Sequence, residues 1–155
     1  TAISTNITYF SFFTATEALT VSNISFSSGS TPASGVSLVR FGLYTFDGTT
    51  ATLVARTNND SSRFTVANTI YTGALDSTGG FPTSYNLVAG TRYAVAVVVV
   101  ASTTPQLAAV NFGAASTAVM ALSPRVVGFA NATSDLPATR DAFTGITHAY
   151  WSRLT

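Results

Sequence analysis

The segment Tyr93-Ala94-Val95-Ala96-Val97-Val98-Val99-Val100-Ala101 constrains this chain more than any other. β-Branched side chains are stiff at χ1 and fit a pleated surface, so four consecutive valines favour strand over helix. A strand with no polar face needs cover on both sides. It must then be central to a sheet and part of a packed core. Val95, Val97 and Val99 are expected to face that core, with Tyr93 where the strand begins. Just ahead, Ala89-Gly90 marks a turn that feeds the strand. The same run is far shorter than the roughly 20 apolar residues of a membrane-spanning helix, so no membrane insertion is expected.

The rest of the chain reads as short strands separated by turn signals. Residues 7–13 are apolar on both faces: Ile7, Tyr9 and Phe13 on one, Phe10 and Phe12 on the other. Residues 19–26 carry Leu19 and Val21 in one phase and Ile24 and Phe26 in the other, which predicts a bulge or a bend between sheets. Residues 27–35 are loop by composition. Residues 36–46 form a long strand with Val39, Phe41 and Leu43 on one face, and Asp47-Gly48 supplies a hairpin turn to a partner at 51–57. Asn58-Asn59-Asp60-Ser61-Ser62 is a turn that can cap a short helical turn through Val66. Further strands are predicted at 71–75, 84–88, 106–112, 125–130 and 146–154. The alanine-rich stretch 112–122 fits loop, strand or one helical turn. This regular spacing is the signature of an all-β fold, an antiparallel two-sheet β-sandwich of jelly-roll type.

A chain of 155 residues suits a single domain, taken as 1–155, and can bury roughly 70% of its unfolded surface. It can therefore stabilise itself without metals or disulfides, and it contains no cysteine. The chain opens on Thr1 with no basic and apolar leader, and is read as a module of a longer protein. Charged residues are only 8% of the total, against about 25% in an average globular protein. All seven basic residues are arginine, scattered singly, and the net charge is +1. Such a chain has no field to attract nucleic acid and little charge to prevent self-association. A homo-oligomer is expected, with the first strand as its foremost contributor: either that strand is internal to its sheet, or its second apolar face meets a neighbour.

Chemistry-bearing residues are few. His148 is the one histidine and reads as a sheet residue beside Tyr150 and Trp151. No nucleophile-elbow or paired-histidine zinc motif occurs. Glu17, Asp47, Asp60, Asp76, Asp135 and Asp141 fall in predicted loops or strand ends, where solvated turn residues are the plain reading. Asn58-Asn59-Asp60-Ser61 is the one stretch with the oxygen atoms of a calcium loop, and Asx-turn chemistry explains it more simply. No metal, no cofactor and no enzymatic activity are expected.

Aromatic residues, 12% of the chain, give the one positive signal. Most phenylalanines belong in a core. Tyr150 and Trp151 point to opposite faces of the last strand, so one of them can serve as a binding face for a sugar ring. The plain structural expectation is core for Trp151 and rim for Tyr150.

Three segments together have a familiar arrangement. They are 8–15 (Thr-Tyr-Phe-Ser-Phe-Phe-Thr-Ala), 38–44 with the Asp47-Gly48 turn, and 87–95, and the chain closes on Tyr150-Trp151-Ser152-Arg153-Leu154. This pattern resembles jelly-roll modules in virion proteins of tailed phages of actinobacteria, of the kind called minor tail proteins. The resemblance implies a virion-borne, extracellular module for host attachment or particle decoration, with other virion proteins and a host cell-surface glycan as partners. It implies no catalytic residues. The competing reading is a carbohydrate-binding module of a secreted enzyme. A depolymerase ranks last, for want of clustered polar residues.

Overall fold

The computed structural model describes residues 1–112, 125–130 and 134–155. Those residues form thirteen strands and no helix. They are β1 (Ile7–Thr14), β2 (Leu19–Val21), β3 (Asn23–Ser27), β4 (Ser34–Phe46), β5 (Ala51–Arg56), β6 (Ile70–Ala74) and β7 (Tyr85–Leu87). β8 (Arg92–Thr103), β9 (Ala109–Asn111), β10 (Val127–Ala130), β11 (Thr139–Arg140), β12 (His148–Tyr150) and β13 (Ser152–Leu154) follow. The predicted stretch 112–122 lies outside the described residues apart from Phe112.

The main sheet has the order β10-β1-β8-β4-β5-β11, every neighbour antiparallel. The valine strand β8 sits inside it, between β1 and β4, as its two apolar faces require. A second layer consists of three small sheets, β13-β3-β6, β2-β7 and β12-β9. The pairings nest: β1 with β8, β2 with β7, β3 with β6 and β4 with β5.

Both faces of the main sheet are buried, each by a different core. Val95, Val97 and Val99 face the second layer with Tyr9, Val39, Phe41 and Leu43. On the other face the row is built from unequal sizes. Ala94 and Ala96 stand directly across from Phe12, Phe10 and Tyr44, so the small residues leave room for the rings. Val-Ala alternation along β8 thus fits a packing of large against small. This second core is closed by Leu136, Phe143 and Phe81 rather than by a sheet. Tyr44 Oη donates to Pro137 O at 2.9 Å, and an Arg40–Asp135 ion pair holds the same cover in place. β11, which the sequence reading passes over, pairs its two residues with the edge strand β5.

Two strands change partners where the sequence changes phase. β2 pairs with β7 and, one residue later, β3 pairs with β6 and β13, so the phase break at Ser22 is a crossing between small sheets. The predicted last strand likewise divides at Trp151: Tyr150 pairs into β9, Ser152 into β3. The turn ahead of β8 forms as expected, with Thr91 N–H donating to Val88 O at 3.1 Å and Gly90 at φ +80°. That angle is the one a type II turn demands of its third residue. Residues 61–64 form a turn instead of a helical one, and Phe64 takes φ +65°.

The first strand takes the internal one of its two expected places. Phe10 and Phe12 are buried inside the chain, and β1 is internal to the main sheet. Its two apolar faces are used by the two cores, so neither needs a neighbouring molecule to cover it.

Candidate functional site

The two aromatic candidates occupy opposite sides of the β9–β12 ribbon, with roles opposite to the plain expectation. Tyr150 stands across from Ala109 and turns inward. Its ring meets Tyr9 edge-on at 5.2 Å, and its hydroxyl lies 2.8 Å from His148 Nε2. Burial pushes the Tyr150 hydroxyl pKa far above its ordinary value, so it stays protonated. Burial, and then the N-terminal ammonium, lowers that of His148, so the imidazole is neutral at pH 7. The pair is a satisfied polar contact at the margin of the core.

Trp151 is the exposed member, at 38%. Its N–H donates to Ala108 O at 2.9 Å, which fixes the backbone while the indole stays outside. Val110 pairs with Ala149 across the ribbon, one step from Trp151 on the same face, and is 66% exposed. Phe112 continues that face, with its N–H bonded to Thr147 O. Val110, Phe112 and Trp151 therefore form an outward apolar stripe. No arginine or carboxylate stands in β9 or β12.

A second feature escaped the sequence reading. A pocket of about 360 Å³ opens between the end of β1, β2, β7, β8 and β13. Its floor is Phe13, Leu87, Val95 and Leu154. Ser11 and Ser152 approach from the two layers, and Thr14, Thr16 and Glu17 border it. The space has a simple cause. Ile7, Tyr9 and Phe13 run along the inner face of β1, and Ser11 stands in that column with a side chain too small to fill it.

The side-chain oxygens of Asn58, Asn59 and Asp60 are occupied within the fold. Asp60 Oδ1 accepts from Ser62 N–H at 3.0 Å and from Ser62 Oγ at 2.6 Å. Asn59 Oδ1 accepts from Val39 N–H, and Asn58 Oδ1 from Arg63 Nη2. Arg63 is 4% exposed and organises the loop. Its Nη1 donates to Val39 O, Thr57 Oγ1 and Asn58 O, while its plane lies 4.9 Å over Phe41. No group of three histidine, aspartate or glutamate side chains gathers among the described residues. All six carboxylates lie outside strands, as expected.

No family model, no curated protein and no solved structure matches the chain.

Proposed function

We propose that this chain is a structural and adhesive module of a tailed-phage virion, a minor tail, fibre or capsid-surface protein, with a jelly-roll fold. It serves host attachment or particle decoration, not catalysis. The nested pairing of β1 with β8, β2 with β7, β3 with β6 and β4 with β5 supports the fold reading. A jelly roll is a long antiparallel hairpin wound on itself in two sheets.

The observation that carries the functional reading is the stripe of Val110, Phe112 and Trp151 on the outward face of an uncharged ribbon. Apolar surface left in water is unfavourable, and a contiguous patch of it marks a surface that is covered in the assembled state. The partners are a second copy of this chain and neighbouring virion proteins. Near-zero net charge leaves little repulsion against such assembly.

Light scattering on the purified chain tests this. A multimer is expected, and the double variant Val110→Thr, Trp151→Ser should fall to monomer with an unchanged circular dichroism spectrum. A wild-type chain that stays monomeric at every concentration would remove the basis for the reading. Neighbouring tail or capsid genes would support it, and a neighbouring hydrolase domain would favour the secreted-module alternative.

A further inference from the structure

We propose that Arg92 and Arg125, brought together at one end of the main sheet, bind a small oxyanion, a carboxylate or a phosphate monoester, beside the Phe46 and Phe143 rings. The site belongs to the second core, on the face of the main sheet turned away from the small sheets. It is separate from the apolar stripe and stands whether or not the chain self-associates.

The fold makes a pair of two arginines that the sequence scatters. Arg92 opens β8 and stands across from Thr14 of β1. Arg125 stands just ahead of β10, where Phe12 N–H of β1 donates to Val126 O at 2.8 Å. One arginine thus flanks each side of β1, and Arg92 Nη2 donates to the Arg125 carbonyl. The Arg92 guanidinium lies 5.1 Å over the Phe46 ring and that of Arg125 lies 5.2 Å over the Phe143 ring. Both rings pack on Phe12, at 4.6 and 5.3 Å. Stacking fixes the plane of a guanidinium and leaves its N–H edges free to donate within that plane.

The charges of this pair are unanswered. Arg40 and Arg56 share Asp135, and Arg63 pairs with Asp60. All six acidic side chains are among the described residues, and none forms an ion pair with Arg92 or Arg125. The Arg125 guanidinium donates no hydrogen bond among the described residues, and its Nη1 is sealed from solvent. Arg40 and Arg63 each have a buried Nε without a partner as well, but a carboxylate answers their charge. Arg140 and Arg153 also lack an ion pair, yet neither rests on a ring and neither has a sealed nitrogen. Two neighbouring cations, one of them with a buried unpaired donor, carry both a repulsion and a desolvation cost. A bound anion offsets the two together.

The free atoms name the ligand. Arg125 Nε and Nη2 remain open to solvent and form one edge of the fork, two parallel N–H bonds that match two oxygens of one carboxylate or phosphate. Arg92 adds a second charge, with its Nε and Nη1 open. A metal ion is repelled by this pair, and a neutral hydroxyl leaves both charges unpaired. Two cations at one point are too few to follow a nucleic-acid backbone.

The test follows the arginine Nε–H signals of the isotope-labelled whole chain by nuclear magnetic resonance. Acetate, glucuronate and methyl phosphate are the oxyanion probes, and their relative affinities tell carboxylate from phosphate. Methyl glucoside and butylammonium are the neutral and cationic counterparts. At least one oxyanion is expected to give saturable shifts at Arg92 and Arg125, with millimolar dissociation. Arg125→Lys keeps the charge and loses the fork, and should weaken binding roughly tenfold or more. Arg92→Gln should weaken it too, and carries the same test if Arg125→Lys does not fold. Arg153→Gln, exposed on β13, should leave it unchanged. Saturable binding by none of the oxyanions would overturn the proposal. So would equal shifts at Arg140 and Arg153, undiminished affinity in Arg125→Lys, or binding of methyl glucoside or butylammonium in their place.

Discussion

Val97→Asp tests the central strand and its two-sided burial. Val97 is fully buried, with Tyr9 and Phe41 directly across on either side, and both of those residues are buried as well. Losing the valine forfeits about 1.5–3 kcal/mol of burial. The introduced carboxyl meets rings and aliphatic groups, with no cation in the row. Desolvation of that kind raises a carboxyl pKa by up to about 3–5 units, which at pH 7 costs about 4 kcal/mol, the ceiling set by the roughly 3 units between the unfolded pKa and that pH. The total is about 6–7 kcal/mol, comparable to the whole stability of a domain of this size, roughly 5–15 kcal/mol. The sign with pH follows. The folded-state pKa lies above the unfolded value of about 3.9, so the electrostatic penalty is absent below that value and grows as pH rises toward the folded-state pKa. Urea unfolding of Val97→Asp near pH 4 and near pH 7 should show a difference of several kcal/mol, with little or no folded protein at the higher pH. Val97→Ala, which only opens a small cavity, should lose about 1–3 kcal/mol at both. A soluble variant that unfolds cooperatively near pH 7, or a penalty independent of pH, would refute the burial argument.

Arg63→Met should cost about 2–4 kcal/mol in urea unfolding, because the buried guanidinium binds four acceptors, Val39 O, Thr57 Oγ1, Asn58 O and Asn58 Oδ1. The loss stays at the lower end of what breaking a buried pair costs, since Val39 O retains Asp60 N–H and Asn58 O retains the Thr57 hydroxyl. Gly73→Ala places a Cβ 2.8 Å from Arg63 Nη2 and from Thr57 Cγ2, which should cost about 1–3 kcal/mol, with less cost in the Arg63→Met background, as a double-mutant cycle would show. The Asp60 carboxyl is held below its ordinary pKa, first by the Ser62 hydroxyl. Its contribution is therefore present above the unfolded-state pKa and fades as pH falls through the folded one, and Asp60→Asn should flatten the acid side of a stability–pH curve. Elemental analysis should find no stoichiometric zinc, and assays on cell-wall polysaccharide should find no turnover.

The fold was legible where one residue type determined one environment. Four valines in a row left β8 no place but the interior of a sheet, and the inner column Val95, Val97, Val99 followed from strand period alone. The phase break between Val21 and Ile24 correctly announced a change of partner. For Phe10 and Phe12, periodicity left open whether the strand was internal or met a neighbour. An apolar second face on a strand signals a cover without saying whose. Here the cover comes from Leu136 and Phe143, more than a hundred positions downstream, in a stretch with no strand pattern of its own beyond two residues.

The candidate sites divide along the same line. That Tyr150 and Trp151 face opposite ways follows from alternation; which one is exposed depends on the partner strand. Ala109 across from Tyr150 leaves room for the ring to reach Tyr9, and the chain turns at Trp151 to join β3, so the indole is left outside. The pocket was harder still. Ser11 and Ser152 lie at opposite ends of the chain, and neither residue type is unusual in a sequence so rich in serine and threonine. What brings them together is the opening between the two layers, and that is a property of the assembled fold. The local signal that did exist was Ser11 itself, a small polar side chain in a column of Ile7, Tyr9 and Phe13. A polar interruption in the inward phase of a central strand therefore identifies this pocket from sequence, once burial on both faces is granted.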